Sequence, residues 1–189
     1  MNVRTTVAAL VGAVALTTLT AAGASAHGDE PTTDPSAGHP GRALPAGARA
    51  ELSHLRHELA RYADPAAAVA DGYLPSDACV ELPGVGGMGY HYVKPSLLGT
   101  IDPDHPSILV YVPARDGGLT LGAAEWFHAD ADQDLTTDDD RPSLFGVPFD
   151  GPMPGHEPGM PIHDDLHAWL FTPNPLGVMQ PWNPKVHCG

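Results

Sequence analysis

Phe-Gly-Val-Pro-Phe-Asp-Gly-Pro-Met-Pro-Gly-His-Glu-Pro-Gly-Met-Pro-Ile-His-Asp-Asp-Leu-His-Ala-Trp-Leu, residues 145–170, changes character halfway along. Its first part, 146–161, is dense in proline and glycine and carries His156 and Glu157. Such a composition reads as a stiff, irregular loop. Its second part alternates. In an extended chain His163, Asp165, His167, Trp169 and Phe171 point to one face, and Leu166, Ala168 and Leu170 to the other. A strand is expected over 165–172, and with the backbone extended from 163 two imidazoles and a carboxylate share one side of a sheet.

Working outward, three further strands are expected at 89–94, 107–113 and 119–128. Asp116-Gly117-Gly118 joins the last two as a hairpin turn. Residues 129–163 show no regular element. Upstream, Leu52, Leu55 and Leu59 recur at helical spacing and Tyr62 continues the stripe, so 46–63 reads as an amphipathic helix. Asp64-Pro65 is an N-cap followed by proline at the first helical position, opening a second short helix that ends at Gly72. The expected class is α+β: N-terminal helices packed on a mainly antiparallel β-sheet with long irregular loops.

The first 26 residues read as a secretory signal. Arg4 is a short basic start, 7–19 is an uncharged apolar run too short to span a bilayer, and Ala24-Ser25-Ala26 is a small-x-small cleavage site. Cleavage after Ala26 makes the protein secreted and extracellular, with no membrane anchor. Residues 27–45 are rich in Pro, Gly, Thr and Asp and read as a disordered linker, which leaves 46–189 as a single domain. In an oxidising compartment the two cysteines, Cys79 and Cys188, are expected to form a disulfide. With 23 acidic residues against 9 basic ones and a net charge of -14, the chain is a poor partner for nucleic acid or an anionic membrane surface. Metal ions and small molecules remain as partners.

Three places carry ligand-type residues. The first pairs the alternating strand with two residues elsewhere. Glu125 lies in an otherwise apolar run, where a carboxylate is costly without a cation or good donors, and His91 lies in a glycine-rich strand. His91, Glu125, His163 and His167, if the strands are neighbours, form a site for zinc, copper or iron. Asp165 and His156 stand beside these ligands as orienting groups. As an enzyme the protein is then a metal-dependent hydrolase or oxygenase. The competing reading is a non-catalytic extracellular binding protein, with Tyr90, Tyr92, Trp126 and Trp169 lining a site for a small aromatic or sugar ligand. In the metal-free alternative, the histidines hydrogen-bond in a polar sheet face.

The second place is the acidic loop, where Asp130, Asp132, Asp134 and Asp138 occupy positions 1, 3, 5 and 9 of a calcium-loop pattern. It departs from that pattern at Leu135, which replaces the turn glycine, and at Arg141, which replaces the bidentate glutamate. The third is His27, which cleavage would expose as an N-terminal copper ligand. The spacing is neither His-Glu-x-x-His nor the His-x-His of cupins. No Gly-x-Ser-x-Gly elbow is present, and the glycines at 84–89 precede a strand rather than a helix, which excludes a dinucleotide-binding turn.

Five motifs follow one another along the chain: Gly72-Tyr73-Leu74-Pro75, Gly-Gly-Met-Gly-Tyr-His-Tyr (86–92), Pro-Phe-Asp-Gly-Pro-Met-Pro-Gly-His (148–156), Asp-Leu-His-Ala-Trp (165–169) and Trp-Asn-Pro-Lys-Val-His-Cys (182–188). Together they resemble a family of small secreted bacterial proteins with no assigned activity. The resemblance covers roughly residues 50–189 and implies secretion and one domain.

Overall fold

The structure, a computed structural model, describes residues 44–156 and 159–189, all within one compact unit. The signal segment, His27, the linker up to residue 43 and Glu157 lie outside the described residues.

Six strands form one antiparallel sheet in the order β1-β2-β3-β4-β8-β7. They are β1 (Leu74–Leu82), β2 (Gly86–Val93), β3 (Ile108–Pro113), β4 (Leu119–Ala129), β7 (Asp150–Met153) and β8 (His163–Ala168). A two-residue pair, β5 (Ser143–Leu144) and β6 (Val147–Pro148), forms a separate ribbon. The expected strands at 89–94, 107–113 and 119–128 are present, and the hairpin between β3 and β4 closes with Ala114 N–H donating to the Gly118 carbonyl at 2.9 Å. The centre of the sheet is where the chain is most apolar: Ile108 to Val112 are all buried.

Two expectations change. The stretch 129–163 is not without structure, because β5, β6 and β7 fall in it. These strands have two to four residues and carry Pro148 and Pro152, so no period-2 pattern can be read from them; β7 sits at a sheet edge, where proline is tolerated. The last strand stops at Ala168 rather than at 172. Trp169 N–H turns to the Val178 carbonyl, and the Phe171 and Thr172 N–H groups both go to Gly122. Gly122 is the extra residue of a bulge, since Val110 pairs with Ala123 while Tyr111 pairs with Leu121. Beyond it alternation is lost, and Phe171 packs with the core on the opposite face from Trp169. The edge strand β1 was not expected either; it is mostly exposed, so no apolar alternation marks it.

One face of the sheet is covered by α1 (Ala48–Leu59), whose Leu52, Leu55 and Leu59 are buried with Leu109, Tyr111, Trp126, Phe149 and Leu166. The expected helix over 46–63 ends in a 3-10 turn carrying Tyr62, and α2 (Pro65–Ala70) follows with Asp64 Oδ1 accepting from Ala66 N–H at 2.9 Å. The other face carries a smaller cluster of Ile108, Val110, Val112, Ala123, Trp169 and Val186. Val186 belongs to the C-terminal coil, which lies along β2: Gly87 and Asn183 form a bridge, and a Cβ on Gly87 would come within 2.9 Å of the Val186 carbonyl oxygen. This is why the glycines of 86–92 and the closing 182–188 motif occur together. The disulfide Cys79–Cys188, with Cα atoms 5.7 Å apart, ties that coil to β1.

Candidate metal centre

Register decides the site. Glu125 on β4 stands directly opposite His167 on β8, and Phe127 opposite Asp165. Cross-strand partners point to the same face, so the carboxylate and the imidazole meet in the layer opposite α1. His91 on β2 pairs with Val110 on β3, and Ile108 on β3 pairs with Glu125. His91 is thus two strands away from Glu125, and the two long side chains lean together above β3.

The result is a three-residue group. His91 Nε2 lies 3.2 Å and His167 Nε2 3.3 Å from the same Glu125 oxygen, Oε2. One ligand atom from each residue lies within 4.8 Å of the others, and no other group of three such residues is brought together among the described residues. The side chains of His91, Glu125 and His167 are 14%, 6% and 0% exposed. Neither Glu125 Oε2 nor either nitrogen of His167 has a partner with hydrogen-bond geometry. The contacts are at hydrogen-bond distance but outside hydrogen-bond angles. Ligands held about 2.0–2.1 Å from a tetrahedral metal are about 3.3 Å apart, which is the separation of both N···O pairs.

The electrostatics of the trio are strongly coupled. Burial alone would raise the Glu125 carboxyl, but the imidazoles of His167 and His91 outweigh it and hold that carboxyl well below the usual range. Burial likewise disfavours a charged His167, yet Glu125 and Asp165 raise it well above the ordinary imidazole value. Asp165 Oδ1 lies 3.5 Å from His167 Nδ1, on the side of the ring away from Glu125. A carboxylate behind a ligating imidazole fixes its tautomer and orientation. Behind Asp165 stands Asp150 of β7, its register partner, whose carboxyl is pushed up to about 7 by burial and then by the charge of Asp165. Sequence reasoning passed over Asp150 because β7 is too short and bulged to show a period.

Of the four ligands expected, three converge and His163 does not join them. It occupies the same face two residues beyond Asp165, opposite Ala129. Its ring stacks on Phe127 with centroids 4.9 Å apart, and its Nδ1 lies 3.1 Å from the Pro161 carbonyl. The reason is the strand repeat: residues 163 and 167 are about 13 Å apart along β8 at 3.3 Å per residue. His156 packs edge-on against His163 at 5.3 Å and is not one of the three residues of the group.

The four aromatics expected to line a ligand site are packing residues. Trp126 is fully buried and donates its indole N–H to the Asp102 carbonyl at 2.7 Å; Trp169 donates to the Gln180 carbonyl at 2.6 Å. Tyr92 packs on Tyr111 at 4.4 Å, and Tyr90 is half-buried against the same core.

In the acidic loop the aspartates turn to their own neighbours. Asp132 accepts from Thr137, Asp134 from the hydroxyl and N–H of Thr136, and Asp138 pairs with Arg141 at 2.7 Å. Asp130 is buried at the end of β4 and accepts from Asp134 N–H at 3.2 Å.

Among the described residues no helix is long and apolar enough to cross a membrane. Comparisons with protein-family models, with curated proteins and with solved structures return no match, so the chemistry of this site is read from its geometry alone.

Proposed function

We propose that this is an extracellular metal-binding protein that holds a transition-metal ion of the zinc, copper or iron class through His91, Glu125 and His167, with Asp165 orienting His167. The observation that carries this reading is the pair of N···O separations of 3.2 and 3.3 Å at one buried carboxylate oxygen that lacks hydrogen-bond geometry. Two imidazoles and a carboxylate are a donor set of catalytic zinc sites and of non-haem iron sites. Secretion is supported by the reading of residues 1–26 as a signal and agrees with the Cys79–Cys188 disulfide.

A catalytic role, as a metal-dependent hydrolase or oxygenase, is the second reading. It is favoured by the number of protein donors: three ligands leave a coordination position for water or substrate. His91, with the largest exposed fraction of the three, marks the side from which that position is reached.

The test is elemental analysis of protein purified without a histidine tag, repeated on His167→Ala. One equivalent of a transition metal in the wild type, lost in the variant, is expected. No bound metal, together with a melting temperature indifferent to added zinc, copper or iron, would remove the reading.

A further inference from the structure

The structure holds a concavity whose lining carries positive side chains, opposite in sign to the protein's net charge. It has a volume of about 430 Å³ and lies at the hairpin end of β3 and β4, with Arg115, Thr120, Thr172, Lys185 and His187 around a floor of Val112 and Val186. None of its lining residues belongs to the metal centre.

The cations here are unlike most others in the described chain. Arg61 and Lys94 engage Asp71, Arg141 engages Asp138, and Arg56 donates to the Leu170 carbonyl. The side chains of Arg49, Arg115 and Lys185 have no such partner among the described residues, and two of these three line one concavity. Nearby carboxylates are already committed. Asp116 accepts the Gly118 N–H at 3.0 Å within the turn. Glu81 lies 3.1 Å from His187 Nδ1 and accepts Cys188 N–H at 2.7 Å, so His187 is already engaged and its ring serves as one wall. That leaves two positive side chains, two hydroxyls as further donors, and an apolar floor. The valines that make the floor are buried, and Cys188, next to His187, is fixed by the disulfide, so the rim is carried on a braced frame. In a chain of net charge -14 the general field repels anions, so an anion held here must be held by local contacts.

We propose that this concavity binds a small oxyanion-bearing molecule, a carboxylate or a phosphate with a short apolar body, with Arg115 and Lys185 as its charged contacts and Thr120 and Thr172 as hydroxyl donors. The size suits a small organic ligand, and charge-assisted bonds from Arg and Lys are the strong ones for such groups.

The experiment is amide chemical-shift mapping on the isotope-labelled full chain at constant ionic strength. Inorganic phosphate and acetate are titrated separately, with chloride as the reference salt, on the wild type and on an Arg115→Gln/Lys185→Gln double variant. Both side chains are exposed, and melting temperature verifies that the variant folds. Saturable shifts confined to 112–120, 172 and 185–187 with either anion, weakened about tenfold or more in the variant, are expected; which anion binds more tightly separates phosphate from carboxylate ligands. No saturable shift with either anion up to about 50 mM, or equal binding by the variant, would overturn the proposal. Metal content is unaffected by either outcome, so this site and the metal centre stand or fall separately.

Discussion

Glu125→Gln keeps the shape of the side chain and removes its charge, which makes it the most informative single change at the metal centre. In the folded protein Glu125 is the hub: both imidazole nitrogens face the same oxygen, at 3.2 and 3.3 Å. An amide oxygen is a far poorer ligand than a carboxylate. Removing groups that merely orient ligands costs about 10–100-fold in metal affinity, so loss of a direct anionic ligand is expected to cost at least about 100-fold. At free zinc one hundred times the wild-type dissociation constant, binding stabilises the fold by about 2.7 kcal/mol. That corresponds to a rise in melting temperature of about 5–10 °C for a domain of this size. A 100-fold weaker variant at the same zinc concentration is half-saturated, gains about 0.4 kcal/mol and shifts by about 1 °C. The assay is a thermal melt with and without zinc, backed by metal stoichiometry. Two results would refute the reasoning. If Glu125→Gln keeps the full zinc shift and stoichiometry, the metal sits elsewhere. If the wild type shows neither shift nor metal while the metal-free variant loses about 3–5 kcal/mol, the trio is a buried ion network whose function is cohesion.

Asp165→Asn removes the carboxylate behind His167 but leaves the three ligands in place, so zinc affinity should fall about 10–100-fold with stoichiometry unchanged, measured by competition with a chelator. Metal must displace the proton that Glu125 and Asp165 hold on His167, so affinity should already be falling with pH above the ordinary imidazole range and should go on falling through it; a titration at each pH that shows constant affinity would argue against histidine ligands. Replacing Cys79 and Cys188 together by serine opens a loop with a sequence separation of 109 residues and should cost about 4–5 kcal/mol on the chain-entropy model, read as a fall in melting temperature of roughly 10–20 °C. Gly89→Ala should destabilise the sheet by at least about 2–3 kcal/mol by denaturant melt, since the backbone there has a φ of 112° and an added Cβ would overlap the Tyr111 carbonyl.

The local chemistry of this chain was legible without coordinates. Alternation alone sorted Asp165 and His167 onto one face and Leu166 and Ala168 onto the other, because side chains in any strand obey a period of two. Helical spacing located Leu52, Leu55 and Leu59 for the same kind of reason, and Asp64-Pro65 marked a helix start through backbone chemistry that needs no partner. Glu125 drew attention because an ionised group in an apolar run must be answered by something. What answered it could not be read from the sequence. Strand order and register are set by which apolar faces pack together across the whole sheet, and a residue's neighbour two strands away leaves no local trace. Tertiary structure therefore decided that His91 reaches across β3 to Glu125, that His167 stands opposite it, and that His163 remains outside the trio, stacked on Phe127. It also decided that Trp126 and Trp169 serve packing, since burial belongs to the assembled core. The two short strands at 147–153 and the bulge at Gly122 were beyond sequence reading because their pairing partners, not their own composition, make them strands.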